Sequence, residues 1–360
     1  MADNMQHALS LARKALGNVS PNPAVGAVVL NKEGRIVGQG HTQPPGSAHA
    51  EIVALEQAGE SARGGTMYVT LEPCCHQGRT PPCTKAIIES GIREIHIATL
   101  DPNPLVGGKG KVILESDGIR MHVGEGEQEA KEINEGYLKY ITTHRPFVTA
   151  KFAMSLDGKI ATRSYNSKWI TNEWSRERAH RFRWETDAIM VGVNTVLKDN
   201  PQLTARTLNG SREPLRVILD SRGKSPVDAK VFANPEQVLI ASTKNLDSSQ
   251  RDRYVEKGIE VLVLGEKEGH VDLDELMNIL GDREITNVLA EGGGTLLGSL
   301  HDGGLIDKIV AFIAPMIIGG TGAITPVSGR GMELISQATR LARCRVEQFV
   351  DDIMMIGYTG

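Results

Sequence analysis

His49-Ala50-Glu51, followed by Glu72-Pro73-Cys74-Cys75-His76-Gln77-Gly78-Arg79-Thr80-Pro81-Pro82-Cys83, is the part of this 360-residue sequence whose reading decides its fold. One histidine and two cysteines give a tetrahedral zinc ion three protein ligands and leave a fourth position for water. That is the arrangement of a catalytic zinc; a structural zinc is closed by four ligands. Zinc brings the pKa of a bound water towards neutrality, and Glu51 is near enough to His49 to serve that water without binding metal itself. Neighbouring residues in an extended or turning segment point different ways, so Cys74 and Cys75 are not expected to share one ion. Cys74, directly after the strand-ending Pro73, is taken with His49 and Cys83 as the ligand set. The alternative is a structural site closed by His76, which would have no use for Glu51.

Working outward, strands and helices alternate. Met5, Ala8, Leu9, Ala12 and Leu16 fall on one helical face that ends at Gly17. Residues 25–30 and 35–38 read as a hairpin closing on Glu33-Gly34. A helix is expected from His49 to Ala58, a strand over 66–71 and a helix over 84–89 stopped by Gly91. A further strand is expected over 94–100 and a helix over 128–141. The metal residues thus sit where strands give way to helices, whose N-termini favour thiolate charge. Thr142-Thr143-His144-Arg145-Pro146 breaks the pattern and suggests domains at residues 1–144 and 145–360. In the second half, strands are expected over 147–153, 188–193, 215–219, 237–241, 261–264, 286–289 and 308–314, with helices over 173–184, 273–280 and 295–300. Both halves therefore read as α/β.

Composition narrows the function. A formal net charge of −4, a pI near 6.2 and 4% aromatic residues argue against a polynucleotide partner, which usually demands a basic face with stacking rings. The first residues lack the basic start and apolar run of a signal peptide. No apolar run approaches the roughly 18 residues of a membrane span. Three of the four cysteines crowd into residues 74–83, which suits a metal cluster in a reducing compartment and not a disulfide framework. A cytoplasmic location, with no membrane partner, is the expectation.

The motif resembles that of the zinc nucleobase deaminases, H-x-E followed by P-C-x-x-C, with the glutamate as proton shuttle. Here the second cysteine comes late, as P-C-x8-C. The Gly78-Arg79-Thr80-Pro81-Pro82-Cys83 insert resembles the family of bifunctional riboflavin-biosynthesis proteins, in which a pyrimidine deaminase is fused to a reductase. Asn22-Pro23, Val25-Gly26 and Asp101-Pro102-Asn103-Pro104 match as well. So do Lys151 to Ala161, Ser167-Lys168-Trp169-Ile170-Thr171, Val191-Gly192 with Thr195, Asp199-Asn200-Pro201, Leu203-Thr204, Arg206 and Glu291-Gly292-Gly293-Gly294. The resemblance spans nearly the whole chain. Cys75, where the family has serine, and Met316, where it has lysine after the proline, are departures.

The resemblance implies a cytidine-deaminase-like three-layer α/β/α domain followed by a dihydrofolate-reductase-like α/β domain. It implies zinc-dependent deamination of 2,5-diamino-6-ribosylamino-4(3H)-pyrimidinone 5′-phosphate, with Glu51 moving the proton. Asn22 and Asp101 would read the pyrimidine edge, and Arg79 and Lys85 are candidates for its phosphate. NADPH would then reduce the ribosyl side chain to give 5-amino-6-ribitylamino-uracil 5′-phosphate. Ala153, Trp169, Thr195, Asp199, Ser221, Gly293, Gly294, Thr295, Leu296, Leu297, Gly298 and Ser299 would line the cofactor. Ser221-Arg222 would hold its 2′-phosphate, unless Asp220 points the same way. Lys151, Ser167, Arg183, Leu203, Arg206 and Glu291 would hold the substrate, with Arg183 and Arg206 as phosphate clamps. Lys151 and Asp199 are the candidates for proton delivery. Trp169 has a second reading as a core aromatic. The family also implies a homo-oligomer. A zinc deaminase acting on another nucleobase or on nucleic acid, with an accessory nucleotide-binding domain, is the competing reading.

Overall fold

The computed structural model describes residues 2–78, 81–207 and 210–360. Contacts within the chain divide it into two compact units, Met1–His144 and Arg145–Gly360. No helix among the described residues is long and apolar enough to cross a membrane.

The first unit contains α1 (Ala2–Ala15), β1 (Gly26–Leu30), β2 (Ile36–His41), α2 (Ala50–Ala58), β3 (Thr66–Val69) and α3 (Cys83–Ser90). They are followed by β4 (Glu94–Ile97), α4 (Lys109–Ser116), β5 (Arg120–Val123), α5 (Glu127–Ile133) and α6 (Glu135–Thr143). The sheet order is β2-β1-β3-β4-β5. The β1 strand pairs antiparallel with β2 and β3, and β3, β4 and β5 run parallel. Alternation along the strands sends side chains to two faces. Val29, Met67, Val69, Ile95 and Ile97 pack against Ala54 of α2, Ile87 of α3 and Leu114 of α4. Val28, Leu30 and Tyr68 pack against Met5 and Leu9 of α1 and Ala130 of α5. Helices therefore cover both faces of one sheet, in three layers.

Two differences from the sequence reading have local causes. The single helix expected over 128–141 is split at Asn134, whose side-chain amide instead bonds the Ala24 backbone on both sides, N–H to Oδ1 at 2.7 Å and Nδ2 to the carbonyl at 2.9 Å. His49 lies just outside its helix, as the N-cap with φ −74° and ψ 163°. The α2 helix can approach β2 only because that strand carries Gly38 and Gly40. A Cβ there would stand 2.0 Å from the Ala54 carbonyl oxygen and 2.6 Å from that of Ala50.

The second unit opens with β6 (Phe147–Ser155), α7 (Glu173–Glu185), β7 (Ala188–Gly192) and α8 (Val193–Asp199). A small ribbon of β8 (Ala205–Thr207) and β9 (Gly210–Arg212) follows, then β10 (Leu215–Leu219), β11 (Val238–Thr243), α9 (Ser248–Glu256) and β12 (Glu260–Leu264). A second ribbon, β13 (Glu266–Lys267) and β14 (His270–Val271), leads to α10 (Leu273–Asp282), β15 (Asn287–Ala290), α11 (Gly294–Asp302) and β16 (Lys308–Ala314). The chain ends in β17 (Ala342–Phe349) and β18 (Asp352–Tyr358).

Nine of these strands form one sheet in the order β12-β11-β10-β7-β15-β6-β16-β18-β17. It is parallel from β12 to β16 and antiparallel where β18 joins β16 and β17 joins β18. The hydrophobic residues of α10 and α11, including Leu276, Leu280, Leu297 and Leu300, fill one face, while Val196 and Tyr254 help to fill the other. The α8 and α9 helices and the final hairpin were not anticipated. The β17 strand is an almost wholly exposed edge, so it lacks the alternation that marks a half-buried strand.

Candidate active sites

The first centre lies where α2 and α3 begin. His49 caps α2, Cys83 opens α3, and Cys74 follows β3. His49 Nδ1 stands 3.6 Å from Cys74 Sγ and 3.2 Å from Cys83 Sγ, and the Cys83 backbone N–H donates to Cys74 Sγ at 3.4 Å. Donors on a tetrahedral zinc, at about 2.3 Å for sulfur and about 2.0 Å for nitrogen, stand roughly 3.5–3.8 Å apart. The imidazole and the two thiols converge within 4.8 Å of one another, the His49–Cys74 pair at that spacing and the His49–Cys83 pair slightly inside it, and their donor set suits the ion. The Cys74 thiol is held down at about 4, first by the Cys83 hydrogen bond, while Cys83, the donor, is pushed up. Glu51, in the first turn of α2, is 3% exposed. Burial first, then the charge of Cys74, pushes its carboxyl up to about 7. A carboxyl poised near neutrality can both take and return a proton.

A second buried carboxylate, which the sequence reading passed over, shapes the wall of this centre. Glu72 accepts the backbone N–H groups of Asp101, Gly108 and Lys111 at 3.2, 3.0 and 3.0 Å. It thereby pins the loop that carries Asp101. Tyr137 donates its hydroxyl to Asp101, 3.1 and 3.0 Å from the two oxygens. The only sequence signal for Glu72 was its place directly before Pro73. Asn22 sits in the turn after α1, its N–H bonded to the Val19 carbonyl. Lys85 lies on the outer face of α3 beside Glu89, 3.9 Å away, which does not support the phosphate role expected of it. Arg79 falls outside the described residues. Cys75 lies 3.8 Å from the Leu105 carbonyl.

The second centre is a cleft of about 1500 Å³ at the carboxyl ends of β6, β7, β10 and β15. Open parallel sheets place ligands there. Nearly all of the residues expected from the sequence line it: Lys151, Ala153, Ser167, Trp169, Arg183, Thr195, Asp199, Leu203, Arg206, Ser221, Glu291, Gly293, Gly294, Thr295, Leu296 and Ser299. Leu297 and Gly298 do not. Leu297 is fully buried in the core, and a Cβ on Gly298 would stand 2.3 Å from the Ser328 carbonyl oxygen. Both lie on the side of α11 that packs inward.

Side-chain geometry sharpens several roles. Trp169 is 67% exposed, with the Arg176 guanidinium 4.6 Å from its ring centre, so it is not a core aromatic. Arg183 donates twice to Glu291 and once to the Thr204 carbonyl. These bonds occupy the fork that a phosphate clamp would use. Arg206 donates to Gln202 on the exposed rim. The buried Asp220 carboxylate accepts the N–H groups of Lys224 and Ser225, at 2.9 and 2.7 Å, and so is engaged within its own turn. Burial lowers the pKa of Lys151 and raises that of Asp199. The α11 helix presents its N-terminus to the cleft through Gly293, where a Cβ would meet nothing within 4 Å. Free N–H groups and open space there suit a phosphate-bearing cofactor. His180, missed from the sequence, lines the same wall and accepts the Arg206 N–H on Nδ1.

The family model described as the RibD C-terminal domain matches residues 146–355, and that of the cytidine and deoxycytidylate deaminase zinc-binding region matches residues 2–99. The chain is 46% identical to the riboflavin biosynthesis protein RibD of Aquifex aeolicus, over 98% of this chain and 96% of that protein. It is 37% identical to the RibD of Escherichia coli, over 88% of each. Among solved structures, RibD of Acinetobacter baumannii superposes with a TM-score of 0.88 at 36% identity, covering 100% of this chain and 98% of that one. A diaminohydroxyphosphoribosylaminopyrimidine deaminase/5-amino-6-(5-phosphoribosylamino)uracil reductase from Thermotoga maritima does so with 0.87 at 37% identity and the same coverage.

Proposed function

Because the chain belongs to the RibD family of riboflavin-biosynthesis proteins and is a bifunctional deaminase and reductase, we propose that its two centres act in succession on one phosphorylated pyrimidine. Domain boundaries at residues 1–144 and 145–360 assign one reaction to each half. The first centre removes the 2-amino group of 2,5-diamino-6-ribosylamino-4(3H)-pyrimidinone 5′-phosphate. The second converts the ribosyl side chain of the deaminated product to ribityl, yielding 5-amino-6-ribitylamino-uracil 5′-phosphate.

His49, Cys74 and Cys83 hold the zinc. When bound, zinc supplies the Lewis acidity that makes water a nucleophile near neutral pH. Glu51, buried beside the ligands, takes the proton from water and passes it to the departing ammonia. Asp101, oriented by Tyr137 on a loop pinned by Glu72, and Asn22 hold the pyrimidine edge. The observation that carries this reading is the convergence of one imidazole and two thiols around the buried Glu51.

In the second centre, NADPH supplies hydride when bound. Gly293 and the N-terminus of α11 hold its phosphates, Ser221 and Arg222 take the 2′-phosphate, and Trp169 offers an exposed ring face. Lys151, held beside Glu291 and Arg183, and Asp199 are the groups in position to deliver the proton that accompanies the hydride. Arg206 on the rim is the phosphate contact, while Arg183 orients Glu291.

The test is a split assay on wild type and Glu51→Ala, following ammonia release and NADPH oxidation separately. Glu51→Ala is expected to release no ammonia yet to oxidise NADPH when given the deaminated intermediate. Failure of wild type to release ammonia from the diaminopyrimidine phosphate overturns the substrate assignment.

A further inference from the structure

The sheet of the first unit carries a cluster that neither reaction uses. Tyr68, His96 and His122 are cross-strand neighbours on β3, β4 and β5. Their rings form a stack, with centroids 4.4 Å apart for Tyr68 and His96 and 4.5 Å for His96 and His122, and planes inclined by 16° and 22°. Glu94 stands two residues before His96, on the same face of β4. Its Oε1 faces His96 Nε2 at 3.1 Å and His122 Nε2 at 3.4 Å. Its Oε2 accepts Arg120 Nη2 and Nε at 2.6 and 3.2 Å. Beyond the other edge of the His96 ring, Glu125 Oε2 lies 3.3 Å from Nδ1.

We propose that Glu94, His96 and His122 form a second metal site, for a divalent transition ion of the zinc, cobalt or nickel class. Three observations carry it. First, both nitrogens of His96 face carboxylate oxygens, but a neutral imidazole carries one proton. With that proton on Nδ1 and given to Glu125, Nε2 turns a lone pair towards Glu94, and a cation between them resolves the opposition. Second, the three ligand atoms lie within 4.8 Å of one another. The 3.1 and 3.4 Å separations match the roughly 3.0–3.4 Å expected of nitrogen and oxygen donors about 2.0–2.1 Å from one ion. Third, both ligands from β4 are braced from outside. Glu125 fixes the ring of His96, and Arg120 engages the Glu94 oxygen that the metal does not need. Such outer partners typify metal-bound histidine and carboxylate.

Two imidazoles and one carboxylate select a borderline transition ion over magnesium or calcium, which want oxygen donors. The His96 side chain is 8% exposed and held in place, while that of His122 is 53% exposed and gives an ion access from solvent. A bound ion would tie the edge strand β5 to β4.

The experiment uses the full-length protein with the His49–Cys74–Cys83 centre loaded with zinc. It is dialysed free of excess metal and titrated with zinc chloride in competition with a chromophoric chelator. Wild type is expected to take up a second equivalent per chain. His122→Ala, a change at a half-exposed side chain, is expected to keep the first equivalent and both activities while binding the second at least tenfold more weakly. Cobalt chloride added as the second metal should give a spectrum without sulfur-to-cobalt charge transfer. A single equivalent in wild type overturns the proposal. Equal uptake of the second equivalent by His122→Ala, or a sulfur signature for the second cobalt, also overturns it.

Discussion

Arg183 and Glu291 are joined by two parallel contacts, Nε to Oε1 at 2.9 Å and Nη2 to Oε2 at 2.6 Å, beside Lys151 and just past the end of β15. Their side chains are only 17% and 10% exposed. Burial alone would push the Glu291 carboxyl up, but Arg183 and then Lys151 outweigh it and hold it at about 2. Its ordinary value is 4.5, so the folded state favours the charged form. The stabilisation is therefore complete above pH 4.5 and is lost as pH falls through about 2. At roughly 1.4 kcal/mol per tenfold change in proton affinity, it is on the order of 3 kcal/mol.

Glu291→Gln removes one partner of this buried pair and leaves Arg183 charged. The expected cost to the second unit is about 3–5 kcal/mol. Denaturant titrations across pH should show a constant gap between wild type and variant from about pH 5 to 8, narrowing below about pH 4.5. A gap that persists undiminished at pH 2 would contradict the assignment. Ammonia release by the first unit serves as an internal control and should not change.

The adjacent glycines of the α11 N-terminus should respond in opposite ways. A Cβ on Gly294 would stand 2.4 Å from Ser328 Oγ and 2.6 Å from the Thr325 carbonyl oxygen. Gly294→Ala should therefore destabilise the second unit by about 1–3 kcal/mol through overpacking. Gly293→Ala has open space at its Cβ and should leave thermal stability nearly unchanged while raising the KM for NADPH. An unchanged KM for NADPH in Gly293→Ala would show that no cofactor phosphate approaches Gly293.

Glu72 is expected to act through the loop that it pins. Glu72→Gln exchanges one acceptor oxygen for an amide donor facing backbone N–H groups, a loss of about 1–3 kcal/mol. Zinc content should stay at the wild-type level, since no ligand changes, while kcat/KM for ammonia release falls and NADPH oxidation is untouched. Loss of zinc along with activity would assign Glu72 to metal retention instead.

Chelation should separate the two reactions. Removing zinc with a strong chelator is expected to abolish ammonia release, leave NADPH oxidation with the deaminated intermediate intact, and lower the melting temperature of the first unit alone. Readdition of zinc chloride should restore ammonia release. Parallel loss of both activities would refute two independent centres.

The chemistry of this protein was legible in the sequence because the candidate ligands come from short runs. His49 and Glu51 are two residues apart, and Cys74 and Cys83 flank one loop, so spacing alone announced a catalytic zinc. The central strands were equally plain, since each is a short apolar run buried along its length. What spacing does not encode is which polar groups meet from distant segments. Glu72 pinning the Asp101 loop, Tyr137 on Asp101, Arg183 committed to Glu291 and not left free as a phosphate clamp, and Asn134 splitting a helix to bond Ala24 all join residues well apart in the chain. So does the meeting of Glu94, His96, His122 and Glu125 across neighbouring strands. Only close packing brings such groups within hydrogen-bond reach, and burial, by removing water, then makes their pairing obligatory. The sequence by itself thus determined which chemistry the chain carries. The tertiary structure decided which side chains are free to perform it and which are spent holding them in place.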